Sequence, residues 1–265
     1  VKLLITDLDG TLLMEDDQVH PDDHRAVRAL KAHGVQVSIA TGRLYSGTRP
    51  TCRTLRLLGP VGCADGSQLV DATDDQPLQV HALPTASVEW LLGVDAAPYA
   101  FADDTVHHDR RGAEHLRYIS TWTNQIHAHP DLAAVSRLRE AGSTKVFVLL
   151  GGEAAVQAAR ERALAEGLSV IAFAFGGGLG LVVRRGGVDK GTAVEFIARR
   201  HGVSLEHVAV VGDWLNDVPM LLRAGHRFVM GHAIAEVKAH AHHVLPTSGP
   251  GRALAHVAEH FGVPL

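Results

Sequence analysis

Three short runs of nearly continuous apolar residues, "KLLIT" at 2–6, "VQVSIA" at 35–40 and "VAVVG" at 208–212, constrain this chain more than any other feature. Such runs are too short for helices, and apolar character at consecutive positions marks strands buried on both faces, as in parallel sheets covered by helices. The segments between them suit that covering. "PDDHRAVRALKAHG" at 21–34 places Val27, Leu30 and the stem of Lys31 at helical spacing, opens on Pro21 with two acids, and stops at Gly34. Towards the C-terminus the alternation repeats: "DKGTAVEFIARRHG" precedes "VAVVGDWLND", "DVPMLLRAG" precedes "RFVMG", and "AIAEVKAHA" precedes "HHVLP". We therefore expect an α/β fold with a doubly wound parallel-sheet core.

The middle of the chain follows another pattern. A strand at "LQVHALP", a helix at 85–94, a strand at "YAFADD", a helix around 113–124, a strand at "KVFVLL" and a helix at 152–166 lead to "SVIAFAF" and "LGLVVRR", separated by Gly176–Gly178. Two strands joined by a glycine turn are antiparallel. The glycines would cradle a phosphate only with a helix following them, and none follows. This reads as an α+β module inserted at 79–186 between two halves of one core, 1–78 and 187–265.

With 25 basic against 29 acidic residues the formal charge is −4, so the chain offers no overall basic field to nucleic acid or to an anionic membrane. Small molecules are the expected partners. No stretch approaches the ~18 apolar residues of a membrane span, and the opening residues lack a basic n-region followed by an apolar h-region. Cys52 and Cys63 stand outside any CxxC spacing. A reducing, cytoplasmic setting is expected. The 18 histidines, including His240, His242 and His243 in "HAHH", follow no HExxH or paired zinc spacing and read as scattered polar residues.

The chemistry gathers where strands end. In a parallel sheet, ligands bind beyond the carboxyl ends of the strands. There "TDLDGTLL" sets Asp7 and Asp9 one residue apart, and Gly10 and Thr11 let the backbone bend its N–H groups toward an anion. "SIATGR" ends on Thr41, Gly42 and Arg43; "DKG" puts Lys190 at a helix start; "GDWLND" supplies Asp213, Asn216 and Asp217. Each stretch alone has a plain structural use as a cap, a turn or a solvated charge. Four of them at the ends of strands in one sheet point to chemistry on a phosphoryl group. A carboxylate attacks a phosphate ester only when their mutual repulsion is neutralised, by a cation on carboxylates and by Lys, hydroxyl and N–H donors. Hard oxygen ligands select Mg²⁺. One Asp then serves as nucleophile while its neighbour exchanges protons with the leaving oxygen and with water.

"DLDGTLL", "TGR", "DKG" and "GDWLND", in this order, resemble the four motifs of the haloacid dehalogenase-like superfamily, and the inserted module is similar to the α+β cap of its Cof-type hydrolases. The resemblance implies a Rossmann-like core with a cap that governs specificity. It implies a Mg²⁺-dependent phosphatase acting on a small phosphorylated metabolite, a sugar phosphate or phosphorylated cofactor, through an aspartyl-phosphate. Asp7 would be nucleophile and metal ligand, and Asp9 acid/base and ligand through its carbonyl. Thr41 and Lys190 would hold the phosphoryl group. Gly10, Gly42, Arg43 and Asn216 would line the substrate, and Asp213 and Asp217 would complete the metal site. His107, His108, Asp109 and Arg110 are candidate substrate readers in the cap, against the plainer reading of an exposed polar loop. A phosphomutase of the same superfamily, which would use Arg110, Arg111 and Arg117 on a second phosphate, and a non-catalytic sensor of a phosphorylated ligand are the alternatives. A monomer or a homodimer joined through a cap sheet edge is compatible with the sequence. Three positions depart from the family pattern: Asp65 of "ADGSQ" stands where members often have Asn, His232 where "MGNA" is usual, and Trp214 where a small residue is frequent.

Overall fold

The computed structural model describes every residue but 177, and its contacts divide the chain into two units. Residues 1–42, 49–78 and 189–265 form the first, and 43–48 with 79–188 the second. In chain order the elements are β1 (Leu3–Thr6), α1 (Pro21–Ala32), β2 (Gln36–Ile39), α2 (Tyr45–Thr54), β3 (Pro60–Cys63), β4 (Gln68–Asp71) and β5 (Gln76–Val80). Then come α3 (Thr85–Leu92), β6 (Ala97–Ala102), β7 (Thr105–His108), β8 (Ile126–Ala128), β9 (Thr144–Gly151), α4 (Glu153–Ala165), β10 (Ser169–Phe175) and β11 (Gly178–Arg184). The chain closes with α5 (Lys190–Arg200), β12 (Val208–Gly212), α6 (Val218–Arg223), β13 (His226–Val229), α7 (Ala235–Lys238), β14 (His243–Val244) and α8 (Ala253–His260).

The first unit is built on a parallel sheet in the order β14-β13-β12-β1-β2, with β1 central and paired to both β12 and β2. Alternate residues explain why both its faces need helices. Leu3, Ile5, Val208 and Val210 pack with Ala193, Ile197, Met220 and Leu221 of α5 and α6. Leu4, Ala209 and Val211, pointing the other way, are equally buried. Each buried Leu, Ile or Val among them contributes roughly 1.5–3 kcal/mol by leaving water. A smaller sheet, β3-β4-β5, continues from the β2 side, where Ala40 bridges Gly62 and the Ser38 hydroxyl donates to the Pro60 carbonyl.

The second unit is a six-stranded sheet in the order β10-β11-β9-β6-β7-β8, antiparallel except for the β7–β8 pair. Helices α3 and α4 cover one face through Val88, Leu91, Val156 and Ala163 against Phe147, Leu149 and Leu181. The β10–β11 hairpin stands where the glycine turn is expected, with Phe175 opposite Gly178; Gly177 itself lies outside the described residues.

The expected helix around 113–124 is instead two stretches of 3₁₀ turn, Arg110–Tyr118 and Ser120–Trp122. β-branched Ile119, Thr121 and Thr123 disfavour the longer α-helix. Helix α2, in contrast, forms despite Pro50 in its interior. The Ser46 carbonyl, four residues back and deprived of its usual N–H donor, accepts from the Asn124 side-chain amide instead. Among the described residues no helix is long and apolar enough to cross a membrane.

One buried acid joins the helices on the second face of the first unit. Asp23 of α1 is fully buried and its Oδ1 accepts from the Ala255 N–H in the first turn of α8, while its Oδ2 has no partner. Burial pushes its carboxyl up from the ordinary 3.8 to about 6, against the pull of the α8 N–H groups. The folded state therefore holds this proton more tightly than the unfolded chain. Stability from Asp23 is complete below pH 4 and lost as pH rises through 6, by about 3 kcal/mol for a shift of roughly two units. Asp23→Asn keeps the cap acceptor and removes the titration. Urea unfolding should show its stability relative to wild type rising by up to that amount between pH 4 and 6.5 and then levelling; a difference independent of pH contradicts the assignment.

Candidate active site

The carboxyl end of β1 is where the first unit concentrates its charge. Asp7 continues the β1 ladder through its N–H to the Val211 carbonyl, and the chain then turns sharply, with the N–H groups of Thr11, Leu12 and Leu13 all directed at the Leu8 carbonyl. Gly10 occupies that turn at φ +74°, and a Cβ there would stand 2.3 Å from Asp213 Oδ2. Only glycine allows this approach. Beside it the Thr11 hydroxyl donates to Asp213 Oδ1 at 2.8 Å, so the turn after β1 fixes the acid after β12.

Lys190, the first residue of α5, is delivered by a capping box in which Asp189 accepts from the Thr192 N–H and the Thr192 hydroxyl accepts in return from the Asp189 N–H. Its side chain is fully buried and its ammonium donates to Asp7 Oδ1 at 2.7 Å and to Asp217 Oδ1 at 2.6 Å. The second Asp217 oxygen accepts from the backbone N–H groups of Asp213 and Trp214, at 2.8 and 2.9 Å. Both oxygens of Asp217 are thus engaged in shaping the loop after β12 and aiming the lysine. A Cβ at Gly212 would fall 2.5 Å from Asp217, which is why a glycine closes β12.

The electrostatics follow from this crowding. Burial pushes the Asp7 carboxyl well above the ordinary range; Lys190 opposes the rise, and Asp217, Asp213 and Asp9 add to it. Burial likewise takes Asp213 up to about 7, reinforced by Asp217 and opposed by the Thr11 hydrogen bond and Lys190. Burial works against the Lys190 charge, but Asp217 and Asp7 outweigh it and its value is raised. The lysine stays charged, and one ammonium is left facing several acids. Asp7, Asp213 and Asp217 each place a carboxylate oxygen within 4.8 Å of the others'. A small set of buried hard oxygens with excess negative charge fits a divalent cation such as Mg²⁺.

The remaining expected residues divide. Thr41 is fully buried at the end of β2, its N–H on the Gly62 carbonyl and its own carbonyl accepting from the Asp65 N–H. Asn216 donates through Nδ2 to Asp65 Oδ1 at 2.9 Å, and a Cβ on Gly42 would face both side chains, 3.4 Å from Asp65 Oδ1 and 3.8 Å from Asn216 Nδ2. Asp9 begins the turn that bridges to Leu13. Arg43 is buried and groups with the second unit. Asp65 is the member of this constellation that the sequence displays only as a departure from a motif. It sits buried in the left-handed region at φ 51°, ψ 39°, and its charge acts on Lys190. The signal for it is the Asp-Gly pair directly after the buried strand β3. His232 brings Nε2 to 3.6 Å from Asp213 Oδ2, and Trp214 is 44% exposed beside it in sequence.

In the second unit the supposed polar loop at 107–110 is largely a buried strand and its cap. His107 pairs with His129 at 2.9 Å, His108 Nδ1 lies 2.8 Å from the Asp109 carbonyl, and Asp109 grips Arg111 and the Leu132 N–H. These groups are engaged within their own unit, and only Arg110 of the four is exposed.

A family model described as haloacid dehalogenase-like hydrolase matches residues 4–257. The chain is 29% identical over 252 residues to the HMP-PP phosphatase of Serratia proteamaculans, covering 90% of this chain and 86% of that protein. Its fold is similar to that of a phosphatase of the haloalkanoate enzyme superfamily from Bacteroides thetaiotaomicron, with a TM-score of 0.80 at 24% identity over 100% of this chain and 96% of that one. A sugar phosphatase of subclass IIB shares the fold at a TM-score of 0.80 and 19% identity, with both chains fully covered.

The engagement of Asp217 has a direct consequence. Asp217→Ala would leave the buried ammonium with one partner and two backbone N–H groups with none. Breaking a buried pair of this kind costs about 3–5 kcal/mol. Urea unfolding should register that loss, and a change below about 1 kcal/mol would mean that the lysine is held by other groups.

Proposed function

The chain belongs to the haloacid dehalogenase-like hydrolases and is a phosphatase; from that premise we propose that it hydrolyses a small phosphorylated metabolite, a sugar phosphate or phosphorylated cofactor, through an aspartyl-phosphate on Asp7. The observation that carries the reading is the Lys190 ammonium bound between Asp7 and Asp217 at the carboxyl end of β1. The similarity to an HMP-PP phosphatase and to a sugar phosphatase supports a phosphorylated small molecule as substrate.

In this mechanism Asp7 and Asp213, with the Asp9 carbonyl, would hold Mg²⁺. When bound, the cation neutralises the carboxylates and the charge on the phosphoryl oxygens. Lys190 and Thr41 orient the phosphoryl group, and Asn216, held by Asp65, faces it beside Gly42. Asp7 attacks phosphorus as Asp9 gives its proton to the departing oxygen. Asp9 then takes a proton from the water that cleaves the acyl phosphate, releasing inorganic phosphate and restoring both acids. Asp217 would complete the metal site while its oxygens also position Lys190 and the loop after β12. Residues 79–186 serve as the cap module that selects the substrate.

The decisive experiment is phosphate release from a panel of sugar phosphates, phosphorylated cofactors and nucleotides, with Mg²⁺ or with EDTA. Release should require the metal and fall by about 10⁴-fold or more in Asp7→Asn. An isomerised ester in place of free phosphate would replace hydrolysis by a mutase reaction. Ligand-dependent stabilisation without any turnover would leave a sensor.

A further inference from the structure

Helix α1 and the end of α2 border an open pocket in the first unit, of about 340 Å³, which shares no residue with the carboxylate cluster. Its size falls in the range of small-molecule sites. The α1 wall consists of His24, Val27, Arg28 and Lys31, spaced so that one stripe of the helix faces the pocket, and Arg56 also lines it. No acidic side chain lines it.

The charges in this pocket are not equivalent. Lys31 donates through its ammonium to the carbonyls of Leu55 and Arg56, at 3.3 and 2.7 Å. These lie just past the last turn of α2, so Lys31 neutralises the negative end of that helix. Arg28 and Arg56 remain, and among the described residues neither has a carboxylate partner within ion-pair distance. Arginines outside the pocket on the same two helices differ: Arg25 pairs with Asp22, and Arg49 and Arg53 with Asp75. Arg56 also holds a backbone φ of 51°, where glycine is the easier residue after a helix. A non-glycine residue at such a position carries a conformational cost.

We propose that this pocket is a binding site for a phosphate group, borne by a small molecule or free in solution. Arg28 and Arg56 offer two guanidiniums to one pocket, the group with which arginine binds phosphate oxygens through paired hydrogen bonds, and the His24 ring adds a third polar group. Val27 and Leu55, both buried, give the pocket an apolar floor suited to a short organic body. The site depends on none of the residues assigned to hydrolysis.

Calorimetric titration of the full chain in EDTA, with inorganic phosphate and with glycerol 3-phosphate, tests it. Asp7→Asn/Lys190→Ala, which disables the hydrolytic site, should still bind at millimolar ligand or below, and adding Arg28→Gln/Arg56→Gln should weaken that affinity at least tenfold. Both arginines are exposed, so circular dichroism should show the variant folded; Arg28→Lys/Arg56→Lys, which keeps the charge, should recover only part of the affinity. Tighter binding of the ester assigns the site to an organic phosphate through its apolar floor, and equal binding assigns it to free phosphate. Unchanged affinity on adding Arg28→Gln/Arg56→Gln, an equal loss in the Arg25→Gln control, or no binding by Asp7→Asn/Lys190→Ala overturns the proposal. Such a failure would leave Mg²⁺-dependent phosphate release in Arg28→Gln/Arg56→Gln alone intact, and so would not touch the hydrolase reading.

Discussion

A charged lysine with no exposure to water governs the organisation of the first unit. Removing an ammonium from solvent costs several kcal/mol, and Lys190 offsets that only through two short bonds to acids at the ends of different strands. Asp7 comes from β1 and Asp217 from the turn after β12, while the lysine opens α5. All three elements must be in place before the interaction exists. The parallel pairing of β1 with β12 brings the two strand ends level, and the packing of α5 on that sheet directs its first residue toward them.

The glycines around this lysine express the same requirement. Gly10 and Gly212 stand where any Cβ would collide with the carboxylate of Asp213 or of Asp217. Acidic groups are therefore drawn nearer to backbone than ordinary side-chain packing allows, and backbone N–H groups share the task of stabilising them. Asp217 illustrates the outcome: one oxygen serves the lysine and the other two amides, so its removal would disturb the loop and the ion pair together.

Much of this was legible in sequence because the signals were local. Strand β1, helix α1 with its Pro21 start, and helix α4 form close to where apolar periodicity and capping residues put them. Helix α2 was hidden by Gly47 and Pro50, since its continuity depends on Asn124 supplying the donor that proline lacks, a contact 78 residues away. Strands β7 and β8 were hidden for a related reason. Their residues include Thr105, His107, His108 and His127, polar groups that become compatible with a sheet only once His107 meets His129 and Asp109 meets Arg111. Asp65 shows the limit at the site itself. A strand ending in Asp-Gly announces a turn, but nothing in the neighbouring residues says that its carboxylate will hold Asn216 from 151 positions further along.

The acid excess also bears on how such a site remains folded. Asp7 is pushed upward by burial and by Asp217, Asp213 and Asp9, and Asp213 by burial, Asp217 and Asp9, so their negative charge is unfavourable until a cation or a proton arrives. Lys190 cannot relieve this alone, because Asp217 takes a share of the same ammonium. A neutral amide at position 217 would free the lysine for Asp7 and lower the local repulsion; the carboxylate of Asp217 does neither. The acid at 217 leaves the carboxylates short of positive charge, a shortage that would suit a divalent ion better than a closed salt bridge. The pocket beside α1 shows the opposite imbalance, with guanidiniums short of negative charge. Among the described residues, Arg28 and Arg56 there lack the carboxylate partners that Arg25, Arg49 and Arg53 have on the same two helices.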